Sequence, residues 1–170
     1  MAAPLLVLVG PPGAGKTTVA HLLGERLGVA VRDTDADVVA AEGVPIADLF
    51  VDRGEAYFRE REARAVAAAL GEHDGVLSLG GGAVLDPATR ALLAEHPAVV
   101  FLDLGLAEAV RRVGLASSRP LLVGGVRGRL KTLLDHRRPL YLEVADHVVR
   151  TDDLTAEQVV DHVLPILEAR

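Results

Sequence analysis

A chain of 170 residues, half of them hydrophobic and none of them cysteine, has the length of one ordinary domain and enough apolar content to bury a core. The lack of cysteine excludes disulfide frameworks, thiolate metal sites and cysteine nucleophiles, and it agrees with a reducing compartment, so the cytoplasm is the expected location. A net charge of -6 opposes a role on nucleic acid, because such proteins replace phosphate counterions with a basic surface.

Short apolar runs alternate with helical patterns along the chain. The first strand is predicted over Leu5 to Val9; it is far too short to span a bilayer and lacks the flanks of a signal peptide, so no membrane partner is expected. A helix follows over Thr17 to Leu27, a strand over Val29 to Arg32, and helices over Ala36 to Glu42 and Gly54 to Leu70. A third strand, Val76 to Leu79, precedes a helix from Pro87 to Glu95, and a fourth, Val99 to Leu102, precedes one from Ala107 to Val113. Ser117 to Arg129 is rich in Gly and Arg, without periodicity, and reads as a mobile loop. A helix over Arg127 to Ala145, a strand over His147 to Arg150 and a helix over Thr155 to Ala169 complete the pattern. Five strands interleaved with helices predict an α/β fold in one domain, residues 1–170, with a parallel sheet covered by helices. Ligands are then expected beyond the strand carboxyl ends, near Gly10, Asp33 and Gly80.

Between the first strand and its helix stands Gly10-Pro11-Pro12-Gly13-Ala14-Gly15-Lys16-Thr17, a match to the phosphate-binding loop G-x-x-x-x-G-K-[ST] in its required context. Its backbone N–H groups, from Gly13, Ala14 and Gly15 to Thr17 and Thr18, can converge on an anion at a helix N-terminus. Lys16 can reach the outer phosphates of ATP, and the Thr17 hydroxyl can hold Mg2+. The chain contains no asparagine, which excludes the guanine-reading motif of a typical GTPase and the catalytic loop of a protein kinase. Its six histidines show no metal-ligand spacing and read as surface or helix-end residues.

Asp33-Thr34-Asp35 places two carboxylates on one side if the second strand continues through them. One could then orient a magnesium-bound water and the other take a proton from a substrate hydroxyl; the bland alternative is that Thr34, Asp35 or Asp37 caps the next helix. Gly80-Gly81-Gly82 could bring a ligand against bare backbone, or could be a tight turn. Arg59 and Glu62, three apart on a helix, could pair so that the guanidinium binds an anion, although Arg59-Glu60-Arg61-Glu62 also suits a solvated helix face. Arg119 and the pair Arg137-Arg138 are candidate charge clamps or ordinary surface arginines.

Together these pieces resemble the shikimate kinases, from Val7 to about Ile166. The ordered marks are the phosphate loop, Asp33-Thr34-Asp35, Phe58-Arg59 with Glu62, Leu79-Gly80-Gly81-Gly82-Ala83, Arg119-Pro120-Leu121-Leu122 and Arg137-x-Pro139-Leu140-Tyr141. The resemblance implies a single-domain P-loop kinase fold with a substrate-binding region at about 33–62 and a mobile lid at about 114–127. It implies that Arg59, Arg137 and the backbone of Gly81 hold the shikimate carboxylate, while Asp35 binds its hydroxyls and acts as base. Phe50, Phe58, Gly80, Gly82 and Glu62 would line or brace that pocket, and Asp33 would reach magnesium beside Thr17. Arg119 would close over the ATP phosphates, and Arg112 would lie against the adenine. The family pattern of one residue between Arg and Pro implies Arg137, with which Arg138 could compete, and the family leans toward monomers. The implied reaction is transfer of the ATP γ-phosphoryl group to the 3-hydroxyl of shikimate. The alternatives are a kinase of another small hydroxy acid such as gluconate, or a nucleotide-binding module with no acceptor.

Overall fold

The structure, a computed structural model, describes residues 2–116 and 125–170. Its elements follow as β1 Leu6–Val9, α1 Lys16–Leu27, β2 Val31–Asp33, α2 Thr34–Glu42, α3 Ile46–Arg53, α4 Glu55–Glu72 and β3 Val76–Ser78. After a 3-10 turn at Ala83–Leu85 come α5 Pro87–Ala94, β4 Val99–Asp103, α6 Leu106–Ala116, α7 Val126–Val144, β5 His147–Arg150 and α8 Ala156–Glu168. The strands form one sheet in the order β2-β3-β1-β4-β5, with every neighbouring pair parallel.

β1 and β4 are buried throughout, and their side chains alternate between two cores. Leu6, Leu8, Val100 and Leu102 meet Val19 and Leu23 of α1 and Val160 and Val163 of α8. Val7, Val9, Val99 and Phe101 meet Val66 of α4, Leu93 of α5 and Tyr141 and Val144 of α7. A sheet covered on both faces needs apolar residues at every position, which is why these strands read as unbroken apolar runs. β1 feeds α1 on one face and β3 feeds α5 on the other, so a crevice opens beyond their carboxyl ends.

The expected α/β architecture and its five parallel strands are present. Three local expectations are corrected. No start signal precedes α3, an element the sequence pattern does not predict, because its N-cap, Pro45, has no side-chain bond to offer; the helix is held by Leu49, which packs with Val38 and Phe58. β2 does not run on through Asp35: it ends at Asp33, and Thr34 already opens α2. Asp33 is itself the cap, its carboxylate accepting from the amides of Asp35 and Ala36. Finally, residues 126–129, at the end of the loop expected over Ser117 to Arg129, belong to α7, which starts one residue before the helix expected from Arg127; of the expected lid, residues 114–116 end α6 and residues 117–124 lie outside the described residues.

A buried histidine joins the start of the chain to the edge of β4. His96 Nδ1 accepts from the Ala98 amide at 3.1 Å, so Nε2 carries the proton and donates to the Pro4 carbonyl at 2.8 Å. Burial holds this imidazole below its ordinary value of 6.5, against the pull of the Pro4 bond. A depressed folded-state pKa means that the contribution is complete above the ordinary imidazole range and is lost as pH falls through the lowered value. Thermal denaturation between about pH 5 and pH 8 is therefore expected to show an acid-side loss of stability that His96→Gln flattens, by at most about 1.4 kcal/mol per pH unit. Identical profiles for the two proteins would contradict this role.

Candidate active site

The loop between β1 and α1 is built around glycines that no larger residue could replace. Gly10 has φ 153°, and a Cβ there would stand 2.6 Å from the Leu102 carbonyl oxygen of β4. Gly13 and Gly15 are also left-handed, with φ 84° and 90°. Lys16 opens α1 from this loop and is buried, its Nζ donating to the carbonyls of Gly10 at 2.7 Å and Pro11 at 3.0 Å. Burial lowers its ammonium to about 8, against the opposing charges of Asp35 and Asp33. Thr17 Oγ1 donates to Asp33 Oδ2 at 3.2 Å, and Asp33 Oδ1 accepts the Asp35 amide at 2.9 Å. A cavity of about 360 Å³ is walled on one side by Lys16, Thr17 and Thr18 and on the other by Asp33, Asp35, Gly80 and Gly81.

Asp35 of α2 and Gly80 line this cavity; Glu62 of α4 stands against Gly80 and Arg59 against Gly82, and Arg59 itself borders a second cavity of about 410 Å³ with Leu85 and Asp86. Thr34 Oγ1 accepts the Gly80 amide at 3.3 Å and ties β2 to β3. Asp35 Oδ1 is buried with no hydrogen-bond partner, and burial, then the neighbouring Asp33, raises this carboxyl above its usual range although Lys16 and Arg59 pull the other way. Glu62, 3% exposed, accepts from Arg59 Nη1 at 2.8 Å; burial raises its carboxyl, with the Arg59 bond opposing. Arg59 also lies over the rings of Phe58 at 5.2 Å and Phe50 at 6.0 Å, which stack at 5.0 Å. Phe58 is buried, while Phe50 keeps an exposed edge.

The three glycines make room for these side chains of the protein itself. A Cβ on Gly82 would collide with the Arg59 guanidinium, and one on Gly80 with the carboxylates of Asp35 and Glu62. One on Gly81 would press on Pro12 at 2.9 Å. The triple glycine is thus what allows the phosphate loop, Asp35 and Arg59 to converge.

α7 supplies the remaining charge. Arg137 lies close enough for its charge to act on Lys16, Glu62 and Tyr141. Its neighbour Arg138 turns away, Nη2 donating to Asp103 Oδ2 at 2.8 Å at the end of β4. Tyr141, one turn beyond Arg137, donates its hydroxyl to the Gly81 carbonyl at 2.6 Å, and burial pushes its phenol up to about 12. Tyr141 and Asp103 were not legible as site residues; the only signal was the i, i+4 spacing of Arg137 and Tyr141 on one helix face.

Arg112 borders a separate cavity of about 260 Å³ on the other side of the phosphate loop, with Gly15, Thr18 and Leu154. It donates to the carbonyls of Gly13 at 2.8 Å and Thr151 at 3.1 Å and to Glu108 at 3.0 Å. Arg119 lies outside the described residues. Among the described residues no group of three or more His, Cys, Asp or Glu could cage a metal, which leaves the Thr17 hydroxyl and the Asp33 carboxylate as the donor pair nearest the phosphate loop.

Residues 12–168 match the family model described as shikimate kinase. The chain belongs to the shikimate kinase family. The shikimate kinase of Saccharopolyspora erythraea is 61% identical over 162 residues, covering 95% of this chain and 92% of that one. That of Streptomyces avermitilis is 56% identical over 170 residues, 100% and 99% of the two chains. A shikimate kinase from Acinetobacter baumannii, solved in complex with shikimate, superposes with a TM-score of 0.89 at 33% identity, covering 99% of this chain and 94% of its own. As a member of the shikimate kinase family, the chain is an ATP-dependent phosphotransferase.

Proposed function

We propose that this protein transfers the γ-phosphoryl group of ATP to the 3-hydroxyl of shikimate, giving shikimate 3-phosphate and ADP. The observation that carries the reading is the Asp35 carboxylate, which lines the same cavity as Lys16 and Thr17 and keeps one buried oxygen, Oδ1, without a hydrogen-bond partner. Such an oxygen, with its affinity for a proton raised by burial, suits a base that accepts a hydroxyl proton.

In the transfer, the shikimate oxygen bonds to the γ-phosphorus as the bond to the bridging oxygen of ADP breaks, and the hydroxyl proton passes to Asp35. Gly13 to Thr18 cradle the phosphates, and Lys16 meets the charge on the transferring group. Thr17 and Asp33 would hold Mg2+, a fit for an ion that takes few protein oxygens and completes its shell with phosphates and water. Held there, the ion would supply positive charge against the phosphates. Arg59, Arg137 and the Gly81 amide grip the acceptor carboxylate, with Glu62, Phe50 and Phe58 fixing Arg59, and Gly80 and Gly82 leaving it space. Arg112 lies toward the adenine, and Arg119 closes over the phosphates to exclude water.

The reading also places the protein in the cytoplasm as a monomer, with no nucleic acid or membrane partner. The larger exposed apolar side chains, such as Val51, Leu92 and Val148, stand on different elements, and no described helix is long and apolar enough to cross a membrane. ADP release with ATP and shikimate, gluconate or no acceptor is the test. Release with shikimate alone is expected; release with gluconate, or equal release without an acceptor, would overturn the assignment.

A further inference from the structure

At its weakest turn α7 carries Arg137, whose charge acts on Lys16 and Glu62 and which borders a cavity with Leu85 and His136. Pro139 lies inside the helix; it has no N–H for the carbonyl of Asp135, and its ring crowds that carbonyl. Arg137 belongs to this interrupted turn, and two side-chain clasps cross it. One is Tyr141 on the Gly81 carbonyl beyond β3. The other is Arg138 on Asp103 at the end of β4, a two-point contact with Nη2 to Oδ2 at 2.8 Å and Nε to Oδ1 at 3.4 Å.

Asp103 is a buried strand-end carboxylate, 4% exposed. Its Oδ1 also accepts the Leu104 amide at 2.9 Å, and Arg150 Nη1 approaches Oδ2 at 4.0 Å. It is therefore a fixed post, whereas the Arg138 side chain is half exposed and would be free to swing without it. Successive helix residues point about 100° apart, and a two-point arginine–carboxylate contact fixes direction as well as distance. Holding Arg138 therefore sets the direction of Arg137, and it keeps a second guanidinium from competing for the same anion.

We propose that Asp103 is a positioning residue for the transfer reaction: by holding Arg138 aside it turns Arg137 toward the acceptor carboxylate. The proposal rests on the reading that Arg137 binds that carboxylate. KM and kcat for each substrate are to be measured in the wild type, Asp103→Asn, Arg138→Gln, the double variant and Arg137→Ala. Asp103→Asn keeps an oxygen for the Leu104 amide and loses the charge. It is expected to raise KM for shikimate about tenfold and to leave KM for ATP within about twofold.

Arg138→Gln is expected to do the same and, because Arg138 is half exposed, carries the test if Asp103→Asn does not fold. The double variant is expected to show no more than the larger single effect, since both changes remove one contact. An unchanged KM for shikimate, an equal rise for both substrates, or additive effects would each overturn the proposal. Arg137→Ala separates the two levels: an unchanged KM for shikimate there removes the carboxylate assignment itself. A raised KM there beside a normal one in Asp103→Asn removes only the role of Asp103.

Discussion

Asp35→Asn is expected to lower kcat by about two to four orders of magnitude while ATP binding stays within about twofold of the wild type. Asparagine keeps the shape of the side chain and its place at the start of α2, but it cannot accept the hydroxyl proton. The wild-type oxygen is poised for that step by burial and by Asp33 beside it, and it has no other bond to break first. The change also removes one of the two negative charges that support the Lys16 ammonium. The residual activity should therefore fall off at lower pH on the alkaline side than in the wild type. Steady-state kinetics across pH, with calorimetric titration of ATP, checks both; an unchanged kcat would end the role of Asp35 as base.

Arg137→Ala is expected to weaken shikimate binding by about 2 to 5 kcal/mol with little change for ATP, as loss of one partner from a desolvated charge pair does. Arg137 gives a cleaner test than Arg59. Arg59 is the hydrogen-bonded partner of the buried Glu62, and removing it would strand that carboxylate and destabilise the fold by about 3 to 5 kcal/mol. Calorimetry with shikimate and with ATP separates the two affinities. Equal losses for both ligands would show that Arg137 supports the whole site and does not grip the acceptor.

The phosphate loop was legible because its chemistry is contiguous: glycines, lysine and threonine act within eight residues of chain, between a strand and a helix that periodicity also reveals. The helix pairing of Arg59 with Glu62 was legible for the same reason, being a matter of i, i+3 spacing. Boundaries were harder. Whether Asp33 ends a strand or continues it depends on which amides its carboxylate caps, and no pattern of apolar residues encodes that. The triple glycine suits either bare backbone facing a ligand or a tight turn. The side chains that fill its space, Arg59, Asp35 and Glu62, come from α4 and α2, and only the folded sheet brings them there. The contact between Asp103 and Arg138 joins β4 to α7 across residues that no spacing rule connects, so the distinction between Arg137 and its neighbour emerged only in three dimensions.

The proposed transfer requires the acceptor to sit between Arg59, Arg137 and the phosphate loop. A crystal structure with shikimate and a non-hydrolysable ATP analogue measures this directly. The predicted result is a carboxylate within about 3.2 Å of guanidinium nitrogens of both Arg59 and Arg137, and a hydroxyl within the same distance of the Asp35 carboxylate, facing the γ-phosphate. A carboxylate bound elsewhere, or a hydroxyl turned away from the phosphate loop, would contradict it.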